Sequence, residues 1–348
     1  MAISKFGSGV VKDIAITAAV VALAFVMALP PVATAWEAPP CTGGYSGRAI
    51  GVWVHAAGDT TFADTGPLPP EGGFISATPV SVDTGTAAAA VLLSVTSGLD
   101  GVAESEASSS DVVLVPNTAA EVRAEFVRSH TVATTSGIFG ESEISSLWVG
   151  GHEVVVTGQP NQNYYVVGVF TLVINEQLTL QTETCNSITV NALHLWFQGI
   201  EIVVSSAHSD ITIGNEGGCG GCGETQPHDF VTGGGWIWQN GYHANFGFVA
   251  GYKPGNDQPL RGNLNFIDHG DGMHVKATSV DTYTGEGNWR QFTGHAMIDG
   301  SGDYTYTCYV EDNGEPGHGV DYFRLSITET GYNAEDYLAG GNIQIHAK

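Results

Sequence analysis

Basic residues are scarce in this chain: 11 Lys and Arg stand against 36 Asp and Glu, for a formal net charge of −25. Between residues 36 and 227 there is no lysine and there are only three arginines. A surface so acidic repels polyphosphate backbones and anionic lipid headgroups, which excludes nucleic acid as a partner. Charged residues of either sign make up only 14% of the chain. Long solvent-facing helices need a charged outer face, and no helical period in the apolar residues is found. Catalytic signatures are missing as well. There is no G-x-S-x-G elbow and no H-E-x-x-H pair. Carboxylates are plentiful, but a glycosidase pair is defined by a separation in space that spacing in sequence does not report. No enzymatic activity is therefore expected, and a secreted hydrolase ranks last among the functions considered. No repeat of fixed period occurs, which excludes a solenoid.

What is present is glycine, 47 residues of it, with hydrophobic residues at 43%. That combination suits short strands joined by many turns. Alternating apolar and polar residues predict strands at Gly51–His55, Val80–Asp83, Val91–Val95, Asp111–Val115, Glu121–Val127, Glu153–Thr157, Tyr164–Asn175, Ser187–Trp196 and Glu201–Ser205. The alanine run Thr86–Ala90 is too short for a helix and is assigned to a strand. After Gly214–Pro227, a glycine- and cysteine-rich stretch, about eight more strands follow and the aromatics concentrate. The expected fold is all-β, with two antiparallel β-sandwich-like domains in series. Their expected bounds are 36–213 and 228–348, with 214–227 as linker.

The first 35 residues have the layout of a secretory signal peptide. Lys5 and Lys12 precede an apolar run, Ile14–Leu29, which Pro30 and Pro31 end before Ala33-Thr34-Ala35. Signal peptidase holds its substrate extended in shallow pockets, so small residues at alternate positions mark the cut, placed after Ala35. The run is short for a membrane span of ~20 residues, so cleavage is preferred to anchoring and no transmembrane segment is expected in the mature chain. The mature protein is expected outside the cytoplasm, at the cell surface or released.

Export permits disulfides. The five cysteines are Cys41, Cys185, Cys219, Cys222 and Cys308, an odd number. Cys41 with Cys185 makes one plausible bridge. Cys219-Gly-Gly-Cys222 reads as a local disulfide, as a redox pair, or as half a zinc site with His228 and His243 as partners. Cys308 is most simply the free thiol. Acidic glycine-rich turns in the second domain raise calcium, whose oxygen ligands come from carboxylates, amides and carbonyls. Asp312, Asn313 and Asp321 are the best placed ligands, although Asp, Asn and Gly are also the ordinary residues of β-turns. Trp236 and Trp238 alternate on one strand and so share a face. They form a sugar-stacking platform if that face is open, or packing if it is covered. Gly233-Gly234-Gly235 beside them is read as an allowance for close backbone approach.

Several stretches carry a family resemblance: DFVTGGGWIW from Asp229, then NFGFVAGYKPG, LRGNLNFIDHGDGMHV, DNGEPGHGVDYFRLSI and LAGGNIQIH. They resemble the C-terminal β domain that often follows the choice-of-anchor P domain of bacterial and archaeal surface proteins. Upstream, Gly47–Trp53, ITVNALHLWF and IVVSSAHSDI are similar to the choice-of-anchor P domain itself. The resemblance implies an exported or cell-surface protein without family-wide enzymatic activity. The chain closes on Ile345-His346-Ala347-Lys348 with no apolar tail or sorting motif, so release or non-covalent retention is expected. The function expected first is therefore a non-enzymatic structural, adhesive or envelope-associated protein. Its partners would be envelope components, glycans or further copies of itself. The alternative is a secreted carbohydrate-binding protein that uses its C-terminal domain, with calcium as an aid.

Overall fold

The computed structural model describes residues 41, 43–77, 81–99, 101–166, 169–214, 229–252 and 259–346. Among them are twenty-four strands and no helix, and the strand pairings are all antiparallel. The first half, residues 41–214, holds β1 (Tyr45–His55), β2 (Asp59–Asp64), β3 (Gly73–Ser76), β4 (Ser81–Asp83), β5 (Ala87–Leu99), β6 (Val102–Leu114), β7 (Val122–Thr134), β8 (Gly137–Ser145), β9 (Trp148–Val149), β10 (His152–Glu153), β11 (Gln162–Val166), β12 (Phe170–Gln181), β13 (Cys185–Phe197) and β14 (Ile200–Thr212). The second half, residues 229–346, holds β15 (Phe230–Gln239), β16 (Tyr242–Tyr252), β17 (Leu260–Asp268), β18 (Met273–Ala277), β19 (Thr282–Glu286), β20 (Trp289–Ile298), β21 (Ser301–Glu311), β22 (Tyr322–Ile327), β23 (Tyr332–Tyr337) and β24 (Gly340–His346). The predicted linker, from residue 215 on, and the predicted signal peptide lie outside the described residues.

Two sheets face each other in the first half. One runs β11-β12-β13-β14-β1-β2. The other runs β10-β9-β7-β6-β5-β3, with β4 on β5 and β8 on β7. The alternation in the sequence pointed to this sandwich, but its strands are longer than that alternation suggested. The reason is a crease across both sheets. In the first sheet Ala63, Ser205 and Asn175, on alternate strands β2, β14 and β12, all have left-handed backbone, with φ of 50°, 53° and 54°. The register aligns them in one row through Gly51 and Ala192. In the second sheet Asp111 and Ser146, each at φ 52°, flank Glu125 in a matching row. A left-handed residue interrupts the ladder and shifts which residues point inward.

On one side of the crease Val52, Val54, Val112, Ala124, Ile202 and Val204 point inward and form the aliphatic core. On the other side the inward positions change parity and chemistry. Here Ser105 donates to the His208 carbonyl (2.6 Å), Thr131 and Ser209 share a hydrogen bond (2.9 Å), and Ser205 donates to the Val127 carbonyl (3.1 Å). Small hydroxyl residues let the sheets approach closely and satisfy one another across the gap.

In the second half one sheet, β23-β22-β21-β20-β18-β17-β16-β15-β24 with β19 on β20, curls round its own core. Phe246, Phe266, Phe292, Phe323 and Tyr306 fill that core. Gln239 of β15 reaches the Asn333 carbonyl of β23, so the two ends of the sheet nearly meet.

The outer face of β15 and β16 lies on the second sheet of the first half. That sheet is therefore buried on both sides, and eight consecutive residues of β6, Ala103–Ser110, are inaccessible to solvent. Phe74 packs on Phe230 (ring centroids 4.7 Å) and Phe126 on Trp236 (5.1 Å). Glycine allows the approach. A Cβ on Gly247 would stand 2.7 Å from the Leu92 backbone, and one on Gly234 would stand 2.7 Å from the Glu106 carboxylate. Within the glycine run beside the tryptophans, Gly234 is the member that meets the first half, against side chains of β6.

Candidate functional site

Trp236 and Trp238 do share a face of β15, but they have different fates. Trp236 is 8% exposed because the first half covers it through Leu92 and Phe126, so it cannot serve as a stacking platform. Trp238, two residues nearer the strand end, passes the rim of the joint and is 51% exposed. Its ring lies 4.4 Å from that of His243.

Asp312, Asn313 and Asp321 come together in the loop between β21 and β22, where their oxygens are engaged by other partners. Asp321 is fully buried and accepts from the Asn313 N–H (2.8 Å) and the Ile343 N–H (2.8 Å). Asp312 accepts from the Ile345 N–H (2.9 Å), and Asn313 Oδ1 accepts from Asn288. Burial pushes the Asp321 carboxyl up while its backbone bonds pull it back down. These residues fasten the loop to β24. Among the described residues no group of three or more His, Cys, Asp or Glu side chains is arranged to hold a metal ion. Cys41 and Cys185 are bonded, with Cα atoms 5.7 Å apart. Cys219, Cys222 and His228 lie outside the described residues. Cys308 is buried and unpaired, and burial pushes its thiol far up, which leaves it unreactive.

The joint holds a buried charged network of which the sequence showed no sign. Arg128, 1% exposed, donates to Glu106 (3.0 Å) and Glu141 (3.0 Å). His130 meets Glu104 (2.7 Å). From the second half, His346 bonds Thr232 (3.0 Å) and stands 3.4 Å from Glu104, while the Gly341 N–H donates to Glu143 (2.6 Å). Burial opposes charge on His130, but the bond to Glu104 and the Glu141 carboxylate 3.9 Å away prevail and hold its pKa up at about 9. The nearby His130 imidazole, together with the hydrogen bond from Arg128, holds Glu141 down at about 2. Burial pushes His346 down and Glu143 up. The space beside Glu104 and His346 is too small for a ligand, so this network is cement.

A groove of about 350 Å³ opens where the crease of the second sheet emerges, lined by residues of the first half. Asp111, Arg123, Glu125, Ser146 and Trp148 line it. Glu125 accepts from Ser146 Oγ (2.9 Å) and meets His243 Nδ1 (2.8 Å), which in turn packs against Trp238. His269 lies 3.8 Å from Asp111, and its Nε2 finds no hydrogen-bond partner among the described residues. Trp148 is 42% exposed. Asp111, Glu125 and Trp148 went unnoticed in the sequence because nothing there shows that strands β6, β7 and β9 meet the β15–β16 hairpin. An indole on a very short strand was the one available signal. Comparison of the chain with protein-family models, with curated proteins and with solved structures found no match in any of the three.

Proposed function

We propose that this is an exported, non-enzymatic protein that acts at the cell surface or just outside it, as a structural or adhesive element of the envelope. The observation that carries the reading is the joint. Arg128, His130, Glu104 and Glu106 are paired with one another and buried, and His346 and Gly341 of the second half meet Glu104 and Glu143, so these groups join the halves instead of serving a substrate. The Cys41–Cys185 bond suits an oxidising compartment, and the resemblance to choice-of-anchor P surface proteins points the same way. Expression in a bacterial host with fractionation tests export. The full chain should leave the cytoplasm with Trp36 at its N-terminus, and retention inside with residues 1–35 intact would overturn it. Labelled protein should then be retained on envelopes from its source, and free washing-off would overturn adhesion.

A second reading, a carbohydrate-binding protein, is favoured by the exposed indoles of Trp148 and Trp238, whose apolar faces can pack on sugar rings. It is tested by affinity for soluble oligosaccharides.

A further inference from the structure

We propose that the groove at the edge of the joint is a binding site for an uncharged glycan, lined by Trp148, Asp111 and Glu125 of the first half and flanked, through the contact of Glu125 with His243, by His243 and Trp238 of the second. This rests on the carbohydrate-binding reading and moves its site from the C-terminal domain alone to the junction.

Four features converge on that ligand. The groove's volume, about 350 Å³, falls in the range of clefts that enclose small ligands. It is partly open to solvent, as a chain-like ligand requires. The indole that lines it, Trp148, is 42% exposed, and Trp238, reached from the groove through Glu125 and His243, is 51% exposed, whereas Trp236 and Trp53 are buried. A sugar ring has an apolar C–H face that packs on an indole, and its edge carries hydroxyls. The polar groups at hand match those hydroxyls. Asp111 and Glu125 are acceptors, and Glu125 is already oriented by Ser146 and His243.

Charge selects within the class. A net charge of −25 and two carboxylates in the groove repel uronates, sulfated chains and phosphate-bearing polymers. Arg123 does not offset this, because it is paired with Glu121 (2.6 Å). A neutral glycan loses nothing to this field.

The test is titration of the whole mature protein with a neutral β-glucan oligosaccharide, a chitin oligosaccharide and an oligogalacturonate, read by tryptophan fluorescence and calorimetry. At least one neutral probe should bind and the oligogalacturonate should not. Trp148→Ala and Trp238→Ala should each weaken binding about tenfold, with thermal unfolding unchanged because both rings are at the surface. Tyr165→Ala, on the distant edge strand β11, should leave affinity as it was. Neutral-glycan binding undiminished in both tryptophan variants would overturn the junction site while leaving the carbohydrate reading intact. Preference for the oligogalacturonate would overturn the charge argument and with it the proposal. Binding to none of the three probes would overturn the proposal and the reading together.

Discussion

Arg128 carries a full charge where almost no water reaches it, and it is tolerated because Glu106 and Glu141 each accept one of its N–H groups at 3.0 Å. Removing one partner of such a pair leaves the others charged and dry. Arg128→Ala should therefore destabilise the protein by roughly 3–5 kcal/mol in urea unfolding at pH 7. A loss under 1 kcal/mol would show that water enters the joint. His130 makes the joint sensitive to pH. An imidazole ordinarily titrates near 6.5, and here it stays protonated to about 9. Its stabilisation is therefore complete below 6.5 and is lost as pH rises through 9. Glu141 behaves oppositely: held at about 2 against an ordinary 4.5, it stabilises above 4.5 and loses this as pH falls toward 2. His346, depressed by burial, disfavours folding below its ordinary value of 6.5, and Glu143, raised by burial, disfavours folding above 4.5. The His130 share can be isolated as the stability difference between wild type and His130→Gln. That difference should approach about 3 kcal/mol near pH 6 and shrink by pH 9.5. A pH-independent difference would mean the imidazole is not charged in the fold.

Strands β5, β6 and β7 decide how the halves fit, because they are covered on both faces. A strand in that position usually reads as an unbroken apolar run. Here β6 runs Ala-Glu-Ser-Glu-Ala-Ser-Ser-Ser from Ala103 to Ser110, with Ser105 and Ser109 turned to the facing sheet and Glu104, Glu106 and Ser108 to the joint. That is why only the Asp111–Val115 end of β6 was legible. The sequence-based strands Gly51–His55, Asp111–Val115 and Glu201–Ser205 each stop at the crease, where a left-handed residue or its neighbour shifts the alternation. Beyond it the inward residues are serine and threonine, so hydrophobic periodicity falls silent while the strand continues. The glycines at the joint give a prediction about elements. Gly247→Ala drives a methyl into the Leu92 backbone, whereas Gly234→Ala meets only side-chain ends, those of Glu106 and Ser108. The first should cost about 1–3 kcal/mol and the second clearly less, by thermal unfolding. Equal effects would mean that the halves part easily. Tyr164–Asn175, expected as one strand, is instead the hairpin of β11 and β12.

Across the whole molecule, the Cys41–Cys185 bond ties the start of the first half to β13 over a separation of 144 residues. Closing so long a loop restricts the unfolded chain strongly. Replacing both residues by alanine should lower stability by about 2–5 kcal/mol without changing the strand content seen by circular dichroism. No change in stability would show that the bond does not form in the purified protein. Composition, alternation and glycine-rich turns were enough to determine an all-β chain, and they offered Cys41–Cys185 as a plausible bridge and Cys308 as the simplest free thiol. These depend on local backbone preference and on counting, which a sequence displays directly. Only the tertiary structure decided that Trp236 is covered and Trp238 open, that Asp312 and Asp321 hold a loop to β24, and that Arg128, His130 and His346 meet in one network. Each of those outcomes depends on which face of one sheet meets another, and residues far apart in the chain acquire their surroundings only when the sheets close on each other.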